Sequence, residues 1–352
     1  RSQGEMGIAT LAAQGGNNTF FSSLEARNVR SRMGLLDGIS GEWDTGVVSV
    51  SRMEIDLRAG ADDADSARQM AESIFKKFRN VRMSSIQVAD ASVRWGYSER
   101  TKGSISNSEL QVVRMDNSLK LRFRGGSFSQ NWLRKLEIID IVINCDPDGL
   151  VFEKALFRKG QGSVDFSGLK VTGGERPQLD GSMKIRKLEL EGLLPLAQRS
   201  FVEGSLSGDF RISGSTNTTD GVSFAGQVTL DGDTITLRKR VHLLQALSDV
   251  DYVRNYHRVD FTEGSFGIKT SGGGLEISDL SLKSGDLFTL QGKMRVRLPT
   301  AEEAQASLAA GETGDEDSRF IAADGGRPLD EEGSPDEADF SLRRAGQEAQ
   351  RL

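Results

Sequence analysis

The chain has 352 residues, of which 37% are hydrophobic, a mean hydropathy of −0.39 and a formal net charge of −6. Residues 301–352 hold 14 acidic and 5 basic side chains, so the first 300 residues carry a net charge of +3. A nearly neutral body with interspersed signs argues against nucleic-acid binding, which needs a clustered basic face.

Alternation of apolar and polar side chains dominates the chain and predicts strands with one buried and one solvated face. Pairs such as Asp148-Gly149 and Asp231-Gly232 lie between alternating runs and predict hairpins. Connections this short predict antiparallel neighbours and argue against βαβ units. We expect strands over 6–12, 20–27, 46–57, 83–95, 104–114, 119–123, 136–144, 149–157, 162–171, 180–190, 205–212, 222–230, 235–238, 264–270, 274–283 and 288–298.

Two segments depart from this alternation and predict helices. In residues 62–79, Met70, Ile74 and Phe78 recur every four positions, acidic residues lead and basic residues follow. Residues 241–255 repeat apolar side chains at three-residue spacing. We expect short helices in both places.

Residues 301–352 change composition to Ala, Glu, Gly, Asp and Pro. Few apolar side chains remain there to offset an ordering entropy of about 1–2 kcal/mol per residue. We therefore expect a disordered acidic tail whose last part, 310–352, is dispensable for folding.

About fifteen strands of this kind cannot share one compact core, because a twisted sheet beyond about ten strands must close, split or curl. We predict a mostly β fold, an elongated and curled antiparallel sheet that forms a half-pipe with an apolar groove. Residues 1–203 would form a repetitive groove segment with a helical insertion near 62–79. Residues 204–300 would form a C-terminal β region with a helix near 241–255.

The C-terminal β region supplies the candidate binding surface. Its strands place apolar side chains on one face and polar ones, such as Arg211, Gln227, Lys293 and Arg295, on the other. We expect the apolar set to line one concave groove: Leu206, Phe210, Ile212, Phe224, Val228, Leu230, Phe266, Ile268, Leu290, Met294 and Val296.

A search for catalytic and metal-binding motifs finds none. His242 and His257 lie fifteen residues apart, too far for a tight metal pair in sequence, and each is expected to be structural. Asp146-Pro-Asp148-Gly149 and Asp231-Gly-Asp233 lack the oxygen-ligand pattern of a calcium loop and indicate turns. We expect no cofactor and no enzymatic activity.

The cysteine and the tryptophans have ordinary structural explanations. The single cysteine, Cys145, excludes a disulfide within the chain and a cysteine-based zinc site, and it follows an apolar run like a small buried hydrophobe. Trp43, Trp95 and Trp132 lie at or near predicted strand ends. There they either cap the core or occupy the rim of a groove.

The C-terminal β region resembles a known family in its rhythm of glycines and aromatic residues. Residues 204–214 read Gly-Ser-Leu-Ser-Gly-Asp-Phe-Arg-Ile-Ser-Gly, and residues 224–230 read Phe-Ala-Gly-Gln-Val-Thr-Leu. Phe-Thr-Glu-Gly-Ser-Phe follows at 261–266, and the strands at 275–282 and 290–294 complete the pattern. This region is similar to the C-terminal region of AsmA-like proteins of the AsmA/TamB superfamily, and residues 24–57 also resemble their repetitive strands.

The resemblance implies a non-enzymatic protein that carries phospholipid along an apolar β-groove between the bacterial inner and outer membranes, in outer-membrane biogenesis. It also implies a periplasmic location and an anchor in the inner membrane. The chain starts at Arg-Ser-Gln and contains no run of 18 apolar residues, so we expect that anchor upstream of Arg1.

Two classes of function fit the residues. In the first, phospholipid or another acyl lipid lies on the apolar face. In the second, apolar faces close on each other and form a structural or adhesive scaffold. Lipid that co-purifies with the protein would distinguish them.

We predict that far-UV circular dichroism of the purified chain is dominated by β-sheet, because alternation with a period of two extends from Gly7 to Leu298. A spectrum dominated by helix would contradict the predicted fold class.

Overall fold

The computed structural model describes most of the first 300 residues and a short segment near the C-terminus. The described residues are 3–16, 19–34, 43–58, 69, 74–75, 80–96, 103–115, 117–130, 133–173, 177–190, 202–215, 221–230, 232–238, 244, 258–271, 274–285, 288–296 and 337–344.

Almost all of these residues are in strands, which confirms the prediction of a mostly β protein. The strands are β1 (Gln3–Gln14), β2 (Phe21–Gly34), β3 (Trp43–Leu57), β4 (Val81–Trp95), β5 (Gly103–Arg114), β6 (Leu119–Arg124), β7 (Ser127–Gln130), β8 (Leu133–Asp146), β9 (Gly149–Lys159), β10 (Gly162–Asp165), β11 (Lys170–Thr172), β12 (Gln178–Glu189), β13 (Val202–Ser215), β14 (Val222–Thr229), β15 (Ile235–Arg238), β16 (Arg258–Phe261), β17 (Glu263–Ser271), β18 (Gly274–Ser284), β19 (Phe288–Val296) and β20 (Glu337–Arg344).

The chain divides into two compact units. Unit 1 comprises residues 1–159, 163–183 and 213–219, and unit 2 comprises the rest. In unit 1 the strands pair in the order β1–β2–β3–β4–β5, and β5 pairs along its length with both β6 and β7. Both of these pair with β8, which pairs with β9, and β11 lies between β9 and β12.

One pairing in unit 1 is parallel, which corrects the prediction of a wholly antiparallel sheet. β3 and β4 run in the same direction, with Val50 opposite Val88 and Ile55 opposite Val93. The reason is the length of their connection: 23 residues separate Leu57 from Val81, long enough for a crossover. This connection contains no Asp-Gly pair, so the short-turn signal that predicts antiparallel neighbours does not occur in its sequence.

The two predicted helices lie almost wholly outside the described residues. In 62–79, Gln69, Ile74 and Phe75 are described and have helical backbone, and in 241–255 Leu244 does. Both helices stay predictions. The insertion near 62–79 is nevertheless tied to the sheet, because Arg114 of β5 donates a hydrogen bond from Nη2 to the backbone oxygen of Phe75 at 2.7 Å.

In unit 2, the strands β14, β17, β18 and β19 pair in that order, all antiparallel. The first residues of β13 pair with β15, and β15 pairs with β16. The turn before β15 is fixed by Asp233, which is 2% exposed and accepts hydrogen bonds from the hydroxyls of Ser205 and Ser207, each at 2.5 Å.

The predicted disorder of the tail is wrong for residues 337–344. These residues form β20, which pairs antiparallel with β19, Leu290 opposite Leu342 and Met294 opposite Ala338. The physical reason is that β19 offers its backbone hydrogen-bonding groups along one side, and the sequence of 337–344 alternates as a strand does. The remainder of 301–352 lies outside the described residues, so its predicted disorder stays a prediction.

A line of irregularities crosses the sheet of unit 1. In β1 to β4 the apolar positions are spaced by three residues instead of two, at Ile8 and Leu11, Val29 and Ala26, Val50 and Met53, and Val88 and Ala91. Asn28 of β2 has a φ of 51°, and the pairing of β4 with β5 shifts between Val88 and Ala91. These steps lie level with one another, since Leu11 is opposite Ala26, Ala26 opposite Met53 and Met53 opposite Ala91. We call this line the crease.

The crease continues into β5 to β8. Asn107 in β5 has a φ of 54°, and Gly125 and Gly126 separate β6 from β7 with φ of 65° and 71°. Gly125 donates to the backbone oxygen of Ile138, where the pairing of β8 with β9 shifts by one residue. Such bulges bend a strand and increase its twist, so aligned bulges bend the sheet.

Lys135 of β8 allows a direct test of the bulge conformation. It lies at a bulge with a φ of 53° and its side chain is exposed. Glycine there removes the strain of the left-handed backbone conformation, about 1–2 kcal/mol. It also loses more conformational entropy on folding, which costs about 0.5–1 kcal/mol. We expect Lys135→Gly to raise the free energy of unfolding by about 0.5–1 kcal/mol in urea titrations.

Lys184 of β12 is the matched control, because it is exposed in a strand and has no left-handed backbone. Lys184→Gly should lower the free energy of unfolding by about 0.5–1 kcal/mol. Equal effects of the two substitutions would contradict the assigned bulge.

Candidate functional site

One row of apolar side chains crosses unit 1 from its first strand to its ninth. Ile8 of β1 lies opposite Val29, which is level with Val50 because its neighbour Arg30 lies opposite Ser49. Directly opposed residues share a face of the sheet. The apolar row therefore continues on the same face through Val50, Val88, Leu110, Phe123, Ile141 and Ala155.

The exposure of the apolar row falls sharply along its length. Ile8 is 39% exposed, and Leu11, three residues further along β1, is 45% exposed. Val50 is 6% and Ile141 is 1% exposed. The apolar row is thus dry from Val50 to Ala155 and open to water at Ile8.

An aromatic cluster lies at one end of the dry part. The Trp95 indole lies over Gly103, where an added Cβ would fall 2.4 Å from its ring, and its Nε1 donates to Oε1 of Gln130 at 2.8 Å. Phe128 follows, with its ring centre 6.1 Å from that of Trp95 and 4.7 Å from that of Phe157. Trp95 is half-buried, at the edge of a packed cluster, which fits both the cap and the rim interpretation of its position.

Trp43 and Trp132 give no such test. The side chain of Trp43 and all of Trp132 lie outside the described residues.

The opposite, outer face of unit 1 carries ion pairs. Asp140 of β8 is 9% exposed and accepts two hydrogen bonds from Arg122, from Nε and Nη2, both at 2.9 Å. Arg124 and Lys154 each lie 3.6 Å from the same carboxylate. The Arg122 guanidinium, helped by these cations and opposed by burial, lowers the pKa of Asp140.

The eleven residues predicted to line a groove lie in unit 2. Those buried to below 9% exposure are Leu206, Phe210, Val228, Leu230, Phe266 and Leu290.

Four more of the eleven, Ile212, Phe224, Ile268 and Met294, are half-buried. For Val296 the structure gives the backbone position, opposite Leu275.

Register and ring contacts bring several of these residues together. Val228 lies opposite Phe266, and Ile268 and Met294 both lie opposite Ile277. The rings of Phe210 and Phe224 stack with centres 4.5 Å apart and an 18° angle between planes.

The polar partners expected to point away are exposed. These are Arg211, Gln227, Lys293 and Arg295.

Phe210 lies across two glycines. A Cβ at Gly226 would fall 2.4 Å from Cδ1 of Phe210, and one at Gly208 would fall 2.7 Å from its Cζ. The ring therefore lies along the sheet and occupies the space above residues without side chains. This is the same arrangement as Trp95 over Gly103 in unit 1.

Sequence reasoning missed a bulge in β18 that adds residues to this face. Asp279 has a φ of 50°, and the pairing shifts between Ile277 and Leu280. The shift keeps Leu275, Ile277, Leu280 and Leu282 on one face although their spacing changes from two to three. The same three-residue spacing marks the crease in unit 1, and it is visible in the sequence as apolar-x-x-apolar.

The described residues offer little reactive chemistry. Burial, aided by Asp146, raises the pKa of the Cys145 thiol to about 11, so it is protonated near neutral pH and a poor nucleophile. Over the described part of the chain, no three His, Cys, Asp or Glu side chains cluster in a way that could hold a metal ion. His242 and His257 lie outside it.

The same described residues include no helix that is long and apolar enough to cross a membrane.

Comparison of the chain with protein-family models, with curated proteins and with solved structures finds no match. The candidate surface therefore has to be interpreted from its own geometry.

The Asp140 cluster generates a pH prediction. Because the folded state lowers the pKa of this carboxyl, its contribution to stability is present above the ordinary aspartate pKa of about 3.9 and is lost as pH falls toward the lowered value. We expect Asp140→Asn to lower the urea midpoint clearly at pH 7 and much less at pH 3. An equal loss at both pH values would contradict this assignment.

Proposed function

We propose that this protein binds lipid without catalysing a reaction, and that acyl chains lie on the apolar face of its β-sheet. The observation that carries the proposal is the apolar row, one uncharged line of side chains that crosses eight strands from Ile8 to Ala155. We propose further that the curled sheet forms an elongated groove around this face.

The physical basis of the proposal is that only one face of the sheet carries the apolar row, while charged pairs lie on the other face. Covering apolar surface with hydrocarbon gains roughly 25 cal/mol for each Å² removed from water. A sheet with a single apolar face can make this gain wherever that face still contacts water, while its outer face, with pairs such as Arg122–Asp140 and Lys120–Glu153, carries the charges. An extended ligand fits this surface better than a compact one, because the row runs across many strands.

The resemblance to AsmA-like proteins supports a more specific form of the proposal. In that form the ligand is phospholipid, and the protein carries it between the inner and outer membranes during outer-membrane biogenesis. The chain would then work in the periplasm, held at the inner membrane by an anchor outside this sequence.

A structural or adhesive scaffold is the second candidate, and burial in the middle of the sheet favours it. Val88, Leu110 and Phe123 are 3–5% exposed, and Val228 in unit 2 is fully buried. Side chains this dry already pack against protein. In a scaffold the whole apolar face would be closed in this way.

Lipid extraction tests the proposal. The chain should be purified without detergent from a bacterial host, extracted with organic solvent and analysed by mass spectrometry. We expect phospholipid in near-stoichiometric amount. Protein that carries no lipid, and takes up none from phosphatidylethanolamine and phosphatidylglycerol vesicles, would favour the scaffold.

Phe224→Glu tests whether the apolar face of unit 2 is open. Phe224 is half-buried, so on an open face the glutamate reaches water and the melting temperature falls little, whereas in a closed core the charge is buried unpaired and unit 2 unfolds. Gln227→Glu, on the exposed side of the same strand, is the matched control and should melt like the wild type.

A further inference from the structure

The two ends of the apolar row differ in what a ligand can gain there. Apolar contact is favourable only where surface is still in contact with water. Side chains such as Val88 and Ile141, at 3% and 1% exposure, have almost no surface left to cover. Ile8 and Leu11, at 39% and 45%, retain much of theirs.

The open surface extends inward from the edge strand. On β1, Ile8 and Leu11 are exposed. The neighbouring strands add three half-buried apolar side chains, Leu24 on β2 and Met53 and Ile55 on β3. Register places Leu11, Leu24, Met53 and Ile55 on one face, since Leu11 lies opposite Ala26, Ala26 opposite Met53, and Leu24 opposite Ile55. The three-residue step at the crease brings Ile8, and Met6 two residues before it, to the same face.

Charge and length favour hydrocarbon at this surface. Residues 6–14 read Met-Gly-Ile-Ala-Thr-Leu-Ala-Ala-Gln and contain no charged side chain. Half of a bilayer's hydrocarbon core is about 15 Å thick, which is the span of one acyl chain. At about 3.4 Å per residue this matches the distance from Met6 to Leu11 along β1.

A strand added at the edge of β1 would not cover the same surface. Such a strand would lie about 4.8 Å outside β1, whereas Met53 and Ile55 belong to β3, two strands further in. Only a ligand that lies on the face contacts β1 and β3 together.

We infer that phospholipid first docks on unit 1 at the open surface of β1 to β3, formed by Met6, Ile8, Leu11, Leu24, Met53 and Ile55, and not along the dry part of the apolar row from Val50 to Ala155. This inference rests on the proposed function and assigns its site. The eleven residues expected from the sequence to line the groove lie in unit 2, so the docking surface is a different one.

Photo-crosslinking tests the site. The chain is mixed with phosphatidylethanolamine and phosphatidylglycerol vesicles that contain a trace of phospholipid with a diazirine in one acyl chain, irradiated, and digested with trypsin. Residues 2–27 form one tryptic peptide and 53–58 another, while 136–154 covers the dry part of the apolar row. We expect crosslinks in 2–27 and 53–58 and few in 136–154.

Two exposed substitutions provide the matched comparison. Leu11→Glu places a charge on the docking surface, and Val47→Glu places one on the opposite face, where Val47 is 44% exposed and opposite Ser85. Neither side chain is buried, so both variants should fold, which circular dichroism checks. Leu11→Glu should lower crosslinking about tenfold, and Val47→Glu should leave it unchanged.

The outcomes separate the two claims. Crosslinks concentrated in 136–154 or in unit 2, unaffected by Leu11→Glu, overturn the docking site and leave the proposed function standing. No crosslink in any peptide, with no lipid taken up, overturns both. A shift of Leu11→Glu from dimer to monomer in light scattering, without lipid crosslinks, assigns the surface to a second copy of the chain and overturns the inference.

Discussion

The pleat of the β-strand is the constraint on which the apolar face depends. Because side chains alternate between faces, one extra residue in a single strand would move all its later apolar side chains to the wrong face. Here the step from Ile8 to Leu11 is matched by steps at the same level in β2, β3 and β4. The crease therefore changes the spacing at the same level in β1 to β4, and the apolar face stays continuous across these strands.

Backbone conformation makes these steps possible. Asn28, Asn107, Lys135, Lys187 and Asp279 all have φ between 49° and 54° within strands, a region that residues with a Cβ adopt at a cost of about 1–2 kcal/mol. The cost is offset because the alternative would expose apolar side chains on the polar face. Bulges also bend strands, so the same residues that preserve the face contribute to its curvature.

The two faces of unit 1 separate two kinds of chemistry on the same strands. Phe123 and Ile141 lie opposite each other on the apolar face, and Arg122 and Asp140, their immediate neighbours in sequence, meet on the outer face. Exposed ion pairs of this face, such as Lys120–Glu153, contribute little to stability individually, whereas Asp140 is buried. These charges lie on the outer face, so the apolar face of the same strands stays uncharged along the apolar row.

Alternation alone determined that this chain is mostly β and that each strand has one apolar face, because period two is a local property of the sequence. The three-residue spacing of Ile8 and Leu11, and of Ile277 and Leu280, is also visible in the sequence. Whether such a spacing keeps both side chains on one face depends on whether the neighbouring strands have the same spacing at the same register. The partners of β3 and β19 were decided by tertiary structure, since Val81 and Glu337 are distant along the chain. Exposure, too, is tertiary: Ile8 and Ile141 are the same residue type in similar alternating strands, yet Ile8 is 39% exposed and Ile141 is 1% exposed. The difference arises because exposure depends on which residues pack against each side chain in the folded chain.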